Sequence, residues 1–255
     1  MTVSGIEGDV AIVTGGNGGI GLAIAEGLAR AGADVAIWAR NERKLSEAKS
    51  RLEATGRRIV VLRCDVSDEV DVDRAFAATV DELGPVSIVF ANAGVNGGGQ
   101  RFANTTLEEW RRVMAVNLEG VFITLRAAAR HMIDVGEGGS LVGVASIAAL
   151  HGAARNGPYS ASKAGVIALM RSLAVELARH GVRSNSLVPG WVKDTDLTDR
   201  LQSNTRFIEV TTRRTPARRW GVPADMTAAA LFLADKRNGY HTGQSVVVDG
   251  GYTSF

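Results

Sequence analysis

Tyr159 and Lys163 stand four residues apart in Tyr159-Ser160-Ala161-Ser162-Lys163. That spacing puts phenol and ammonium on one face of a helix. A free tyrosine, with a pKa near ~10, trades protons poorly at neutral pH. A cation held beside it favours the phenolate, so Lys163 is expected to bring the Tyr159 pKa down and make it a general acid/base. Ser146 closes the apolar run Leu141-Val142-Gly143-Val144-Ala145 and offers a hydroxyl to an oxygen whose charge changes. Alone, a Tyr-x-x-x-Lys pair reads first as a surface helix pair. The elements that would position it decide between the two.

Those elements alternate. Apolar runs at Val10–Thr14, Asp34–Ala39, Arg58–Arg63, Val86–Phe90, Ser140–Ala145, Arg183–Val188 and Gly243–Val248 have the length of strands and carry no polar alternation. Helical patterns separate them: one after the first glycine loop, closed by Gly32, then Glu42–Thr55, Asp68–Leu83, a long stretch Leu107–Val135, one carrying Tyr159 and Lys163 to about Arg179, and Pro223–Ala234. Strands buried on both faces and joined by helices predict an α/β fold, a Rossmann-like doubly wound parallel sheet of about seven strands with helices on both faces. No linker, repeat or low-complexity tract interrupts it, so residues 1–255 are expected to form one domain. Trp191–Trp220 has no clean period and exceeds an ordinary connection, which marks a mobile or functional element.

The first strand runs into Gly15-Gly16-Asn17-Gly18-Gly19-Ile20-Gly21. The loop satisfies both Gly16-x-Gly18-x-x-Gly21 and Gly15-x-x-x-Gly19-x-Gly21. Either spacing permits a tight turn, lets backbone approach a pyrophosphate and aims a helix N-terminus at negative charge. Between a strand and a helix, that is the context a dinucleotide site needs. At the end of the second strand, where an acid would take the ribose hydroxyls of NAD, Ala39 is followed by Arg40, which suits the 2′-phosphate of NADP. NADP(H) is therefore the expected cofactor, with NAD(H) as the alternative if Arg40 faces solvent and Glu42 takes the ribose. Glu42 reads instead as first-turn helix after the N-cap Asn41.

The whole composition narrows the partners. Lys+Arg of 29 against Asp+Glu of 27 gives no strong field for nucleic acid or a membrane surface. Cys64 is the single cysteine, so no intrachain disulfide forms, which suits a reducing, cytoplasmic setting. Met1 to Gly5 lack the pattern of a signal peptide, and no apolar run approaches the ~20 residues of a membrane span. His131, His151, His180 and His241 show no metal-ligand spacing, so no metal is expected.

With the glycine loop, Asn92-Ala93-Gly94, Ser146, Tyr159-x-x-x-Lys163 and Pro189-Gly190 in this order, the chain resembles the short-chain dehydrogenase/reductase family from about Val10 to Gly251. The resemblance implies reversible hydride transfer between a nicotinamide cofactor and a secondary alcohol or ketone. It makes Tyr159 the acid/base, Lys163 its partner and a ligand of the nicotinamide ribose, Ser146 the group that orients the carbonyl, and Asn117 a member of a proton relay. The alternative for Asn117 is a helix-interior amide bonded locally. Gly15, Asn17, Gly18, Gly19, Ile20 and Gly21 would hold the pyrophosphate. Asp65 and Val66 would meet the adenine, Asn92, Ala93 and Gly94 the adenosine ribose, and Pro189, Gly190 and Val192 the nicotinamide. The chain departs from the family where Asp194 stands in place of the usual threonine or serine. Either one extra residue lets Thr195 serve, or that contact is missing. Gly18 also replaces a basic residue many NADP-preferring relatives carry. The family further implies a homotetramer, to which Leu169, Leu173 and Leu177 could contribute if they are not core.

For the substrate, Asn96, Ser146, His151 and Tyr159 are the expected contacts. The segment after Trp191 adds Arg200, Arg206, Arg213, Arg214, Arg218 and Arg219. Such a run reads as a solvated or subunit face, or as recognition of an anionic substrate. Sugar acids or polyols and 3-oxoacyl thioesters are the competing substrate classes. A non-catalytic NADP-binding sensor is the reading from outside enzymology.

Overall fold

The structure, a computed structural model, describes residues 5–254. Met1 to Ser4, on which most of the signal-peptide reading rested, lie outside the described residues.

Seven strands form one all-parallel sheet in the order β3-β2-β1-β4-β5-β6-β7. They are β1 (Val10–Thr14), β2 (Asp34–Ala39), β3 (Ile59–Arg63), β4 (Ile88–Ala91), β5 (Gly139–Val144), β6 (Val182–Pro189) and β7 (Ser245–Val248). Their ends fall within one or two residues of the apolar runs. The order reverses between β1 and β4, and the crevice at such a switch, beyond the C-terminal strand ends, is where open α/β sheets take ligands.

Strands β1 to β6 send alternate residues to two separate cores. Ile12, Ala36 and Trp38 pack with α3 (Glu69–Leu83), α5 (Gly120–Val135) and α6 (Gly157–Leu177) through Phe76, Leu125 and Met170. Ala11, Val13, Val35 and Ile37 pack on the other face with α1 (Gly19–Arg30), α2 (Glu42–Glu53) and α9 (Thr227–Ala234) through Leu28, Leu52 and Leu233. This explains the strands' continuous apolar runs. Each large buried side chain contributes about 1.5–3 kcal/mol, so the strand ends are held rigidly.

The structure refines two readings. Leu107–Val135 is helical throughout, as expected, but α4 (Leu107–Met114) passes through a wide π turn, Ala115–Glu119, into α5. The extra residue of that turn lets the Asn117 side chain bond outside its own helix. Trp191–Trp220, which shows no period, contains α7 (Asp199–Gln202) and α8 (Thr205–Arg214). Their apolar positions are too few to register in a polar stretch, and α8 is instead pinned by Phe207 and Thr211 against Trp191 and Trp220. Leu177 is buried, and Leu169 and Leu173 pack on the same core, which answers that spacing with core packing. Among the described residues no helix is long and apolar enough to cross a membrane.

Candidate active site

Four strand ends and their loops meet at the switch point. β1 delivers the glycine loop, in which Gly15 and Gly19 adopt positive φ of 66° and 49°. Those left-handed turns favour the Gly15-x-x-x-Gly19-x-Gly21 spacing over the alternative. Gly21 is required sterically, since a β-carbon there would lie 2.3 Å from Gly15 O. α1 begins with no side-chain cap, and a β-carbon on Gly18 would meet nothing within 4 Å. Uncapped N–H groups facing open space are what a pyrophosphate fits.

β4 supplies the opposite wall. Asn92 donates through Nδ2 to Thr14 O at 2.9 Å, and the Thr14 hydroxyl accepts from the backbone N–H of Asn92 and Ala93, both at 3.0 Å. Thr14 is thus a positioning residue that the motif reading missed, because a strand-end threonine carries no signal of its own. Further out, Arg40 and Asp65 end neighbouring strands and pair at 3.5 Å, both partly exposed. Asn41 accepts from Lys44 N–H and caps α2, leaving Glu42 in the first turn. Val66 is buried against Gly120.

The proton-handling groups lie deeper. Tyr159 is nearly buried and Lys163 is 2% exposed. The Lys163 ammonium donates to Val144 O at 2.7 Å and lies 5.8 Å from the centre of the Tyr159 ring. Burial pushes the Tyr159 hydroxyl above its ordinary value, and a hydrogen bond with Ser146 only partly offsets this. Burial likewise brings the Lys163 ammonium down to about 8. The expectation that Lys163 lowers the tyrosine is therefore corrected for the chain by itself. Removing both groups from water disfavours both charged forms, and at this separation that effect dominates.

Asn117, fully buried, is not bonded within its own helix. Its Oδ1 accepts from Val95 N–H at 2.8 Å, and its Nδ2 donates to Val95 O at 2.9 Å and to Ser162 Oγ at 3.3 Å. Ser162 in turn donates to Tyr159 O at 2.7 Å. A β-carbon on Gly94 would lie 3.4 Å from both Asn117 Oδ1 and Lys163 Nζ, so those two groups converge on one glycine.

The segment after β6 folds back over the groove. Pro189 ends the strand, Gly190 packs on Asp249, and Val192 is buried. Asp194 takes a positive φ of 60°, and Thr195 then lies against Gly19, 3.2 Å from where its β-carbon would be. The extra residue is absorbed in the turn, and Thr195 rather than Asp194 faces the glycine loop. Asn96 donates to Leu197 O, and Lys44 donates to both carboxylate oxygens of Asp196 at 2.8 Å. These ties strap the segment across both banks of the groove. Neither Lys44 nor Asp196 was legible beforehand, since 152 residues separate them. His151 lies beyond the short turn that starts at Ser146, its ring 6.2 Å from that of Tyr252.

A family model described as enoyl-(acyl carrier protein) reductase matches residues 15–253. A gluconate 5-dehydrogenase of Gluconobacter oxydans is 37% identical over 97% of this chain and 96% of its own length. This chain belongs to the short-chain dehydrogenase/reductase family. An L-rhamnose 1-dehydrogenase (NAD(P)(+)) of Sphingomonas is 38% identical, with 96% of each chain covered. A solved gluconate 5-dehydrogenase from Burkholderia cenocepacia, in complex with NADP and tartrate, superposes with a TM-score of 0.94 at 33% identity over the whole of both chains. The protein is thus an NAD(P)-dependent oxidoreductase of this family that acts on CH–OH groups and their ketones.

Proposed function

We propose that the protein is an NADP(H)-dependent dehydrogenase/reductase of a secondary alcohol and its ketone, with Tyr159 as acid/base. The observation that carries this reading is the convergence of Tyr159, Ser146, Lys163 and Asn117 below the glycine loop. When bound, the nicotinamide cofactor supplies or accepts the hydride. Tyr159 gives its proton to the ketone oxygen in reduction and takes it back in oxidation. Ser146 holds that oxygen beside the phenol. Lys163 stabilises the phenolate left behind, and Asn117, anchored on Val95 and Ser162, keeps the lysine's surroundings in register. The raised tyrosine and depressed lysine of the chain alone suit a site that stays neutral until a ligand enters.

The groove supports the placement of the dinucleotide. Gly15, Asn17, Gly18, Gly19, Ile20 and Gly21 cradle the pyrophosphate under Thr195. Asn92, Ala93 and Gly94 carry the adenosine ribose, Asp65 and Val66 the adenine, and Pro189, Gly190 and Val192 the nicotinamide end. Arg40 takes the 2′-phosphate. Its exposed pair with Asp65 contributes ~1 kcal/mol or less and yields to a phosphate dianion. For the substrate we favour a sugar acid or polyol, contacted by Asn96 and His151, over a 3-oxoacyl thioester. The solved relative holding tartrate supports that preference. The apolar side chains of Phe122 and Val175, exposed on α5 and α6, suit a homotetramer.

The test is titration of the protein with NADPH and NADH, then absorbance at the reduced-nicotinamide band against keto-sugar acids, 3-oxoacyl thioesters and aryl ketones. In Tyr159→Phe, turnover falls at least 1,000-fold while NADPH affinity stays within about threefold. Retained turnover in Tyr159→Phe sinks the assignment.

A further inference from the structure

The arginines after Trp191 sort themselves in the structure. Arg213 is taken by Glu209 at 3.0 Å and Arg219 by Asp225 at 2.6 Å, while Arg218 donates to Arg213 O. Arg214 has no carboxylate partner among the described residues, and its guanidinium carbon lies 4.4 Å from the centre of the Tyr252 ring. Its direction follows from the helix period. Phe207, Thr211 and Arg214 are spaced four and three apart, so they share one face of α8. That face packs on the site: Phe207 meets Trp191 at 5.0 Å, and Thr211 accepts from Trp220 Nε1 at 2.8 Å.

Tyr252 connects this face to the chemistry. Its ring stands 6.2 Å from His151 and 6.4 Å from Trp191, nearly perpendicular to each. His151 hangs from the turn that begins at Ser146, and Trp191 separates Gly190 from Val192. Tyr252 therefore bridges the two loops that bracket the reacting oxygen and the nicotinamide end, and Arg214 is the cation seated on that bridge. Trp191 stacks on Trp220 at 5.5 Å, which holds the platform still. A guanidinium that lies on a ring keeps its N–H groups in its own plane, free for a bidentate carboxylate. His151 Nε2 and Trp191 Nε1 are buried without a partner among the described residues.

We propose that Arg214, seated on Tyr252, binds the carboxylate of the substrate, which is a small polyhydroxylated acid reacting at a carbon remote from that carboxylate. The proposal rests on the reaction proposed at Tyr159. Its test therefore has one arm that needs no turnover. In the NADPH complex, tartrate is titrated against tryptophan fluorescence, which Trp191 and Trp220 report, in wild type, Arg214→Gln and Arg214→Lys. Arg214→Gln binds roughly 10- to 100-fold more weakly than wild type, and Arg214→Lys falls between. In the kinetic arm, Arg214→Gln raises KM for 5-ketogluconate by the same factor but not KM for its methyl ester. Equal tartrate binding by wild type and Arg214→Gln overturns the proposal, as do equal losses for acid and ester or no tartrate binding in wild type. Retained turnover in Tyr159→Phe overturns the acid/base assignment and leaves the tartrate result standing.

Discussion

Lys163 makes the sharpest test of how burial tunes this site. Its ammonium titrates at about 8 in the folded chain against an ordinary 10.5, because burial removes it from water. Between those values the unfolded chain holds a proton that the folded chain has released. Stability then rises with pH across that window. At about 1.4 kcal/mol per pH unit, the full difference is roughly 3 kcal/mol, most of it gained below pH 10. Tyr159 acts oppositely but later: its raised pKa costs stability only as pH climbs past the ordinary tyrosine value of 10.0. The perturbation is Lys163→Met, which keeps the length of the side chain and removes its charge. Urea unfolding of both proteins, without nucleotide, at intervals from pH 7.5 to 10.5 gives the stability difference directly. Wild type is expected to gain on Lys163→Met by roughly 3 kcal/mol over that range. A flat difference would show that the ammonium is solvated. A difference that shrinks with rising pH would show that the fold holds the ammonium charged, and either outcome refutes the burial argument.

Two further perturbations test the cofactor side. Arg40→Ala is expected to weaken NADPH by roughly 10- to 100-fold and NADH by less than threefold, the scale of one charge-assisted hydrogen bond. Its melting temperature should stay within a degree or two, since the Asp65 pair is exposed, and fluorescence titration with equal losses for both nucleotides would remove the case for NADP. Gly21→Ala places a β-carbon 2.3 Å from Gly15 O and 2.5 Å from Asn92 Nδ2. Backbone must move, at about 1–3 kcal/mol, so calorimetry should show a lower melting temperature and titration should show NADPH binding lost at least tenfold.

The sheet was legible because its strands are buried on both faces, which leaves apolar runs that nothing else in the chain imitates. Ser146 and the glycine loop drew notice because they follow such runs, and Tyr159 and Lys163 because they stand four apart on α6. What stayed hidden depends on contacts across the chain. Lys44 and Asp196 carry no signal until the fold brings α2 against the strap over the groove. Asn117 shows in sequence as one asparagine in a helical stretch, and only the π turn reveals that its partners are Val95 and Ser162.

Burial was the quantity the spacing could not supply, and it reverses the simplest electrostatic expectation. A lysine four residues from a tyrosine suggests an activated phenolate, yet both groups sit where charge is disfavoured, and each is pushed toward neutrality. The same depth that holds Tyr159 against Ser146 keeps its proton in place without a ligand. The strap ties both banks of the groove to one segment: Thr195 rests on Gly19, Lys44 holds Asp196, and Asn96 holds Leu197, and the same segment runs on to Arg214 on the Tyr252 ring. With the dinucleotide and the substrate where we propose them, both would meet one continuous stretch of chain.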